Sequence, residues 1–259
     1  MRWNAVLRRA GLAVIALLWS AAAAPAADWS TIRVGTEGAY KPFNYYDASG
    51  KLTGLDIDIV EALCQRLKAR CVFVAMQLDG LQPALLDGKV DAVATGWSMT
   101  EKRRKVVDFT DKYYTRYARF MTCGSETFTD ISPAGLKGRV IGTQGGTAND
   151  DYLAATYKDS DVRRYKSMDD AYSDLAAGRV DLVLSSEASS YDFTRSEAGK
   201  DCRFAGPRLA DKPFGLGVGI GLRKTDTDLR DLLNGALKAI IADGTYDAVV
   251  KKYFPFSIY

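Results

Sequence analysis

Two short stretches of this chain occur twice, in the same order. Val34-Gly35-Thr36-Glu37-Gly38 returns 107 residues later as Ile141-Gly142-Thr143-Gln144-Gly145, and Gly88-Lys89-Val90-Asp91-Ala92-Val93 returns after 90 residues as Gly178-Arg179-Val180-Asp181-Leu182-Val183. A chain that repeats a strand-like segment and then a turn-plus-strand segment is built as two similar α/β lobes. In such lobes ligands sit where parallel strands end and loops begin. Four loops therefore become candidates: 36–40, 95–98, 143–147 and 185–187.

The first 27 residues stand apart from the fold. Arg2, Arg8 and Arg9 precede an apolar run, Ala10 to Trp19, that ends in Ala24-Pro25-Ala26-Ala27. This is the pattern of a secretory signal peptide cleaved near Ala26 or Ala27, and the run is too short for a good membrane span. Arg8-Arg9 lacks the flanking residues of a twin-arginine signal. Removing those three arginines from 35 basic residues leaves 32 against 32 acidic ones, so the net charge of +3 belongs to the leader. A balanced mature surface implies neither a nucleic acid nor an acidic membrane as partner. The chain contains no histidine, which removes Ser-His and Cys-His catalysis and the usual metal sites; no cofactor is expected.

Alternation of strands and helices predicts a mainly parallel sheet in each lobe. In lobe one, strands are expected at 32–35, 72–74 and 90–94, with helices from Asp56 and from Leu81 to Leu86. In lobe two, strands are expected at 140–142, 162–165 and 180–184, with helices from Asn149 and over 168–177. The extended, aromatic segment 108–120 is a candidate hinge strand, and 207–222 the return crossing. Amphipathic helices at 229–241 and 246–252 should pack back on lobe one. The boundaries are 28–115 with 216–259 for lobe one and 116–215 for lobe two, with a cleft between. Cys64 on the first helix lies a short loop from Cys71 on the next strand, so the two can bridge in an exported chain. Cys123 and Cys202 then either bridge within lobe two or remain buried thiols.

Chemistry concentrates on the four loops. Thr95-Gly96-Trp97-Ser98 leads into a predicted helix carrying Arg103, whose planar fork matches two carboxylate oxygens. Across the cleft, Thr143, Gln144 and the glycines after them allow close backbone approach, and Thr147 caps a helix with Asp150 three residues on. Glu37 is an unpaired acid suited to a cationic ligand tail. Tyr40 offers an aromatic face with a polar tip, and Leu78 an apolar wall. Trp97 alternates away from its neighbours toward core or rim. Ser185 and Ser186 are candidate donors, with Glu187 either a site acid or a brace.

Taken together, Glu37-Gly38-Ala39-Tyr40-Lys41-Pro42-Phe43, Gly54-Leu55-Asp56-Ile57-Asp58, Cys64 with Cys71, Ser98-Met99-Thr100-Glu101-Lys102-Arg103, Phe109-Thr110-Asp111, the stretch 170–181 and Asp243-Gly244-Thr245-Tyr246 resemble the periplasmic solute-binding proteins of polar amino-acid ABC transporters, especially the histidine, lysine-arginine-ornithine and opine group. The resemblance implies a two-lobed α/β periplasmic binding protein fold with two hinge crossings, a Cys64–Cys71 disulfide, a monomer, and an inner-membrane ABC permease as partner. It further implies that Arg103 and Thr147 grip a small ligand's carboxylate while Ser98 and the Gly96 backbone bind its polar head. Tyr40 and Leu78 would flank its side chain, and Glu37 would meet its distal cation. One position departs from the pattern: Ser186 stands where amino-acid binders of this group usually carry an aspartate for the α-ammonium. An opine, whose α-nitrogen bears a second acidic arm, relieves that need, as would Glu187. Two rivals share the fold: a cyclohexadienyl dehydratase with Glu187 as its acid, and a sensor that docks on a membrane receptor.

Overall fold

The computed structural model describes residues 28–209, 214–255 and 257–259; the expected signal peptide lies outside them. Two five-stranded sheets form the frame. In the first, β1 (Thr31–Thr36) pairs in parallel with β5 (Arg70–Ala75) and β6 (Ala92–Val93), and β13 (Gly221–Leu222) runs antiparallel between β6 and β7 (Asp108–Phe109). In the second, β9 (Val140–Gln144) pairs in parallel with β10 (Asp161–Tyr165) and β11 (Leu182–Ser186), and β8 (Ala118–Cys123) runs antiparallel between β11 and β12 (Cys202–Leu209). Strand for strand, the sheets have one plan: three parallel strands, then two contributed by the crossings.

The repeated segments explain how that plan is encoded. β1 and β9 are the central strands, and Val34 pairs with Ala92 as Ile141 pairs with Leu182. The second repeat closes each sheet with a carboxylate. Asp91 Oδ2 accepts the backbone N–H of Arg33 at 2.9 Å, and Asp181 Oδ2 accepts that of Val140 at 2.7 Å. Each aspartate thus satisfies a donor just ahead of the repeated strand, where the ladder leaves it open. Gly88 and Gly178, at φ 70° and 68°, turn the chain out of the preceding helix into these strands.

Helices cover the sheets. α1 (Leu55–Leu67) carries Asp56 and Asp58 in its first turn and Arg66 in its last, complementing the helix dipole. Its buried residues Ile59, Val60 and Leu63 pack against α7 (Thr227–Ala242), which buries Leu229, Leu233, Ala236, Leu237 and Ile240, and against α8 (Thr245–Val250). The C-terminal helices therefore return to lobe one. α2 (Leu78–Leu86) begins three residues earlier than its apolar spacing suggests, bringing Leu78 to the helix start. In lobe two, α4 (Ala148–Thr156) and α5 (Met168–Ala176) take the predicted places.

Four differences from expectation have local causes. β9 and β11 run on to Gln144 and Ser186, so Thr143, Gln144, Ser185 and Ser186 lie in strands rather than loops. α6 (Glu187–Thr194) has no apolar periodicity to reveal it, and β12 hides behind Gly206, Pro207 and a register shift between Ala205 and Leu209. The helix after Ser98 is the single turn α3 (Glu101–Arg104), with Thr100 as its cap, so its dipole has little to offer an anion. Finally, the extended aromatic segment is two strands, β7 and β8, joined by a crossing in which Tyr113 and Tyr114 are buried.

Both cysteine pairs are bridged, Cys64–Cys71 and Cys123–Cys202. The second joins the last residue of β8 to the first of β12, which face each other in register. Among the described residues, no helix is long and apolar enough to cross a membrane.

Candidate functional site

The first crossing is anchored before it reaches the cleft. Asp56, wholly buried, accepts hydrogen bonds from Tyr113 Oη at 2.6 Å, Tyr114 Oη at 3.3 Å and Asn44 Nδ2 at 2.9 Å. Burial pushes its carboxyl up to about 6 against the pull of these donors. Gly54, just ahead of α1, sits at φ 124°, and a Cβ there would fall 2.3 Å from the carbonyl oxygen of Phe43. The motif around Asp56 thus holds the hinge strand to α1 and the loop of β2 (Ala39–Tyr40) and β3 (Asn44–Tyr46) to both. Phe43 stacks between Tyr40 and Tyr114 at 5.1 Å from each, which fixes the Tyr40 ring at the cleft.

Four contacts join the lobes at the carboxyl ends of their parallel strands. Gln144 Nε2 donates to Glu37 Oε1 at 2.5 Å, Tyr40 Oη donates to Ser186 Oγ at 2.7 Å, Arg103 Nη2 donates to the Gly146 carbonyl at 3.0 Å, and Lys102 Nζ pairs with Asp151 at 2.8 Å. Glu37 and Gln144 are equivalent positions of the first repeat. Glu37, expected as an unpaired acid, has a neutral partner from the opposite lobe, because β9 extends far enough to deliver Gln144. Burial raises its carboxyl to about 7, and the charge of Asp169 adds to the shift while Gln144 opposes it.

Between these contacts lies a small cavity. Lobe one and the crossing line it with Tyr40, Leu78, Thr95, Gly96, Trp97, Arg103 and Arg116; lobe two contributes Gln144, Thr147, Asn149 and Met168. Seven sequence-predicted residues are therefore brought together: Tyr40, Leu78, Thr95, Gly96, Arg103, Gln144 and Thr147. Glu37 stands behind Gln144. Ser98 is fully buried beneath the arginines, its carbonyl accepting from Arg103 Nη1 and its hydroxyl from Arg116 Nη1, both at 3.1 Å. Thr143 spends its hydroxyl on the Leu184 carbonyl within the sheet. Ser186 caps α6 and holds Tyr40.

Arg103 rests over the Trp97 ring at 5.1 Å. Desolvation first, and the like charge of Arg116 second, bring its pKa down to about 9. Among the described residues it has no carboxylate within ion-pair distance. Opposite it, Thr147 accepts the Asp150 N–H and donates to the Gln144 carbonyl at 2.8 Å, opening α4 toward the cavity. Gly96 is at φ 63°, and a Cβ there would meet the Tyr40 ring at 2.9 Å; the room it leaves is taken by that ring.

Sequence reasoning missed Arg116, Asn149 and Met168. A basic residue between the tyrosines of a predicted hinge strand was the available signal for Arg116. Asn149 and Met168 look like ordinary first-turn residues of α4 and α5. Glu187, weighed as a site acid, faces away from the cavity: Arg119 Nη1 holds it at 3.0 Å and Arg208 Nε at 2.5 Å. With Arg208 it borders a second, larger cavity of about 210 Å³ behind the crossing, also lined by Tyr114, Arg116, Tyr117, Phe204 and Ser186.

Residues 32–256 match the family described as bacterial extracellular solute-binding proteins, family 3. The histidine-binding periplasmic protein of Salmonella typhimurium is 41% identical over 254 residues, 96% of each chain. The lysine/arginine/ornithine-binding periplasmic protein of Escherichia coli K12 is 40% identical over the same length and coverage. Among solved structures, an arginine-specific periplasmic binding protein of Salmonella typhimurium superposes with a TM-score of 0.81 at 31% identity, covering 86% of this chain and 99% of its own. The chain belongs to the family 3 bacterial extracellular solute-binding proteins, has their two-lobed fold, and is a binding protein rather than an enzyme.

Proposed function

We propose that this family 3 solute-binding protein is the exported, periplasmic substrate-binding component of an ABC importer for a basic or polar amino acid, or a derivative such as an opine, and that it works by hinge closure. The observation that carries this reading is Arg103: a desolvated guanidinium with no carboxylate at ion-pair distance among the described residues, set on lobe one against the start of α4 on lobe two. A carboxylate between them supplies the missing counter-charge and meets the free N–H groups of a helix start.

In this reading Arg103 and Thr147 hold the ligand carboxylate, with Ser98 orienting the guanidinium from below. Tyr40 and Leu78 flank the side chain, the Thr95–Gly96 backbone meets the polar head, and Glu37 with Gln144 meets the distal cation. Because both walls touch the ligand only when the lobes are together, the ligand shifts the population toward closure. The closed monomer then docks on its permease. The names of the histidine-, lysine/arginine/ornithine- and arginine-binding relatives support a basic ligand.

A thermal-shift screen tests the reading with basic amino acids, glutamine, octopine and nopaline at saturating concentration. At least one is expected to raise the melting temperature by several degrees, as roughly 100 Kd of ligand adds about 2.7 kcal/mol. No response from any of them overturns it.

A further inference from the structure

We infer that the cavity behind the crossing is a second binding site, built for one small uncharged phenol, and that its occupant favours closure of the lobes. Its walls come from three parts of the chain: Phe43 and Ile258 belong to lobe one, Arg116 and Tyr117 to the crossing, and Glu187 and Phe204 to lobe two. Backbone bonds fix these parts to one another. The Ile258 carbonyl accepts the Thr115 N–H at 2.6 Å, and the Glu187 N–H donates to the Tyr117 carbonyl at 2.8 Å. A molecule in the cavity therefore touches both lobes and the segment that joins them.

Size and wall chemistry select the occupant. At about 210 Å³ the cavity is smaller than the roughly 300–1,000 Å³ of sites for drug-sized molecules, which limits it to a single small ring system. Aromatic rings of Phe43, Tyr114, Tyr117, Tyr191 and Phe204 line it, and such rings take another ring edge-on or offset. Tyr117 and Phe204 are braced from outside, by Arg208 at 5.1 Å and Arg119 at 4.4 Å. The polar wall is mixed. Among the described residues Arg116 Nε is buried without a hydrogen-bond partner. Glu187 pairs with Arg119 at 3.0 Å and Arg208 at 2.5 Å, which uses about two of a carboxylate's roughly four acceptor positions. A carboxylate would be set against Glu187, an ammonium against Arg116 and Arg208, and a bare hydrocarbon would leave Arg116 Nε unmet. A phenolic hydroxyl both accepts and donates, so it can take a hydrogen bond from Arg116 and give one to Glu187. Because both lobes wall the site, it is complete only when they are together, and occupancy shifts the population toward closure; this link rests on the hinge-closure reading above.

The probe is p-cresol, titrated by calorimetry into the mature protein. It is expected to bind at least tenfold tighter than toluene, which lacks the hydroxyl, and than p-toluate, which carries a carboxylate in its place. Ala188 also lines the cavity, so Ala188→Phe, which puts a ring inside, should abolish p-cresol binding. Tyr191→Ala, which removes one wall, should weaken it at least fivefold and decides the matter where Ala188→Phe does not fold. No heat from p-cresol, equal binding of either analogue, or an unchanged p-cresol affinity in the folded variants overturns the site. With p-cresol saturating, arginine is expected to bind about fivefold tighter; an arginine affinity that p-cresol leaves unchanged overturns the link to closure. Silence from every amino acid while p-cresol binds sinks the receptor reading and that link together, and leaves the phenol site standing.

Discussion

Lobes one and two share a scaffold and divide the chemistry. Their sheets have the same strand plan, and Asp91 and Asp181 perform the same backbone bond. At the cleft they diverge. Lobe one and its crossing supply charge through Glu37, Arg103 and Arg116, while lobe two supplies Gln144, Thr147 and Ser186, which are neutral, two of them helix caps. Equivalent positions differ: Glu37 and Gln144 occupy the same place in the repeated segment and bond to each other. A duplicated frame can thus keep its structural carboxylate and still specialise one wall for charge and the other for closure.

The largest test of that symmetry is covalent. Loop-closure entropy grows with the length of chain enclosed, and the bridges enclose very different lengths, with sequence separations of 7 and 79. Replacing Cys123 and Cys202 by Ala should cost about 4.5 kcal/mol by denaturant unfolding, against about 2.5 for Cys64 and Cys71. Equal costs would mean that lobe two does not depend on its bridge as the chain-entropy account requires.

Next in size is the charge asymmetry of the cleft. Arg103→Ala should weaken ligand binding by about 3 kcal/mol in calorimetry, roughly 100-fold, because it strands a desolvated carboxylate. Thr147→Ala on the opposite wall should cost only about 1 kcal/mol in binding, and about as much in stability from the lost cap. Comparable losses in binding would abolish the division of labour.

The structural aspartates sharpen the comparison further. Asp91 also pairs with Arg33 at 2.6 Å and Arg223 at 3.4 Å, while among the described residues Asp181 has a single, distant ion pair, with Arg139 at 3.7 Å. Asp91→Asn is therefore expected to destabilise by about 2 kcal/mol and Asp181→Asn by about 1, measured in the same unfolding series.

The smallest effect concerns pH. With the Glu37 carboxyl raised to about 7 by burial, a cationic ligand binds the ionised form, so affinity should rise with pH through 7, roughly tenfold between pH 6 and pH 8. Glu37→Gln should flatten the profile. Stability moves the other way: the folded chain holds this proton more tightly than the unfolded one, so the contribution of Glu37 falls as pH rises from 4.5 to about 7. An unchanged pH profile in Glu37→Gln would assign the titration to another group.

Much of the frame was legible because it obeys local rules. The repeated strand and turn segments, the apolar faces of α1 and α7 and the capping threonine of α4 each state their conformation within a few residues. α6 and β12 were not legible, since a serine-rich helix and a bulged strand with Gly206 and Pro207 lack a readable period. At the site, Thr147 lies on one of the loops that the repeats single out and Arg103 on the helical turn that follows another; their shared grip on a carboxylate was implied by the family resemblance. Arg116 could not be named, because a crossing residue acquires a wall only when both lobes are in place.

Sequence alone determined the two lobes, the positions of their central strands and the residue types at the cleft rim, since periodicity, glycine and capping chemistry act over short stretches. Tertiary structure alone decided that Gln144 would meet Glu37, that Glu187 would turn outward to Arg119 and Arg208, and that two guanidiniums would share Ser98. The Glu37–Gln144 contact spans 107 residues and the Arg119–Glu187 pair 68, so each depends on how distant strands are set against one another, a relation that no local pattern encodes.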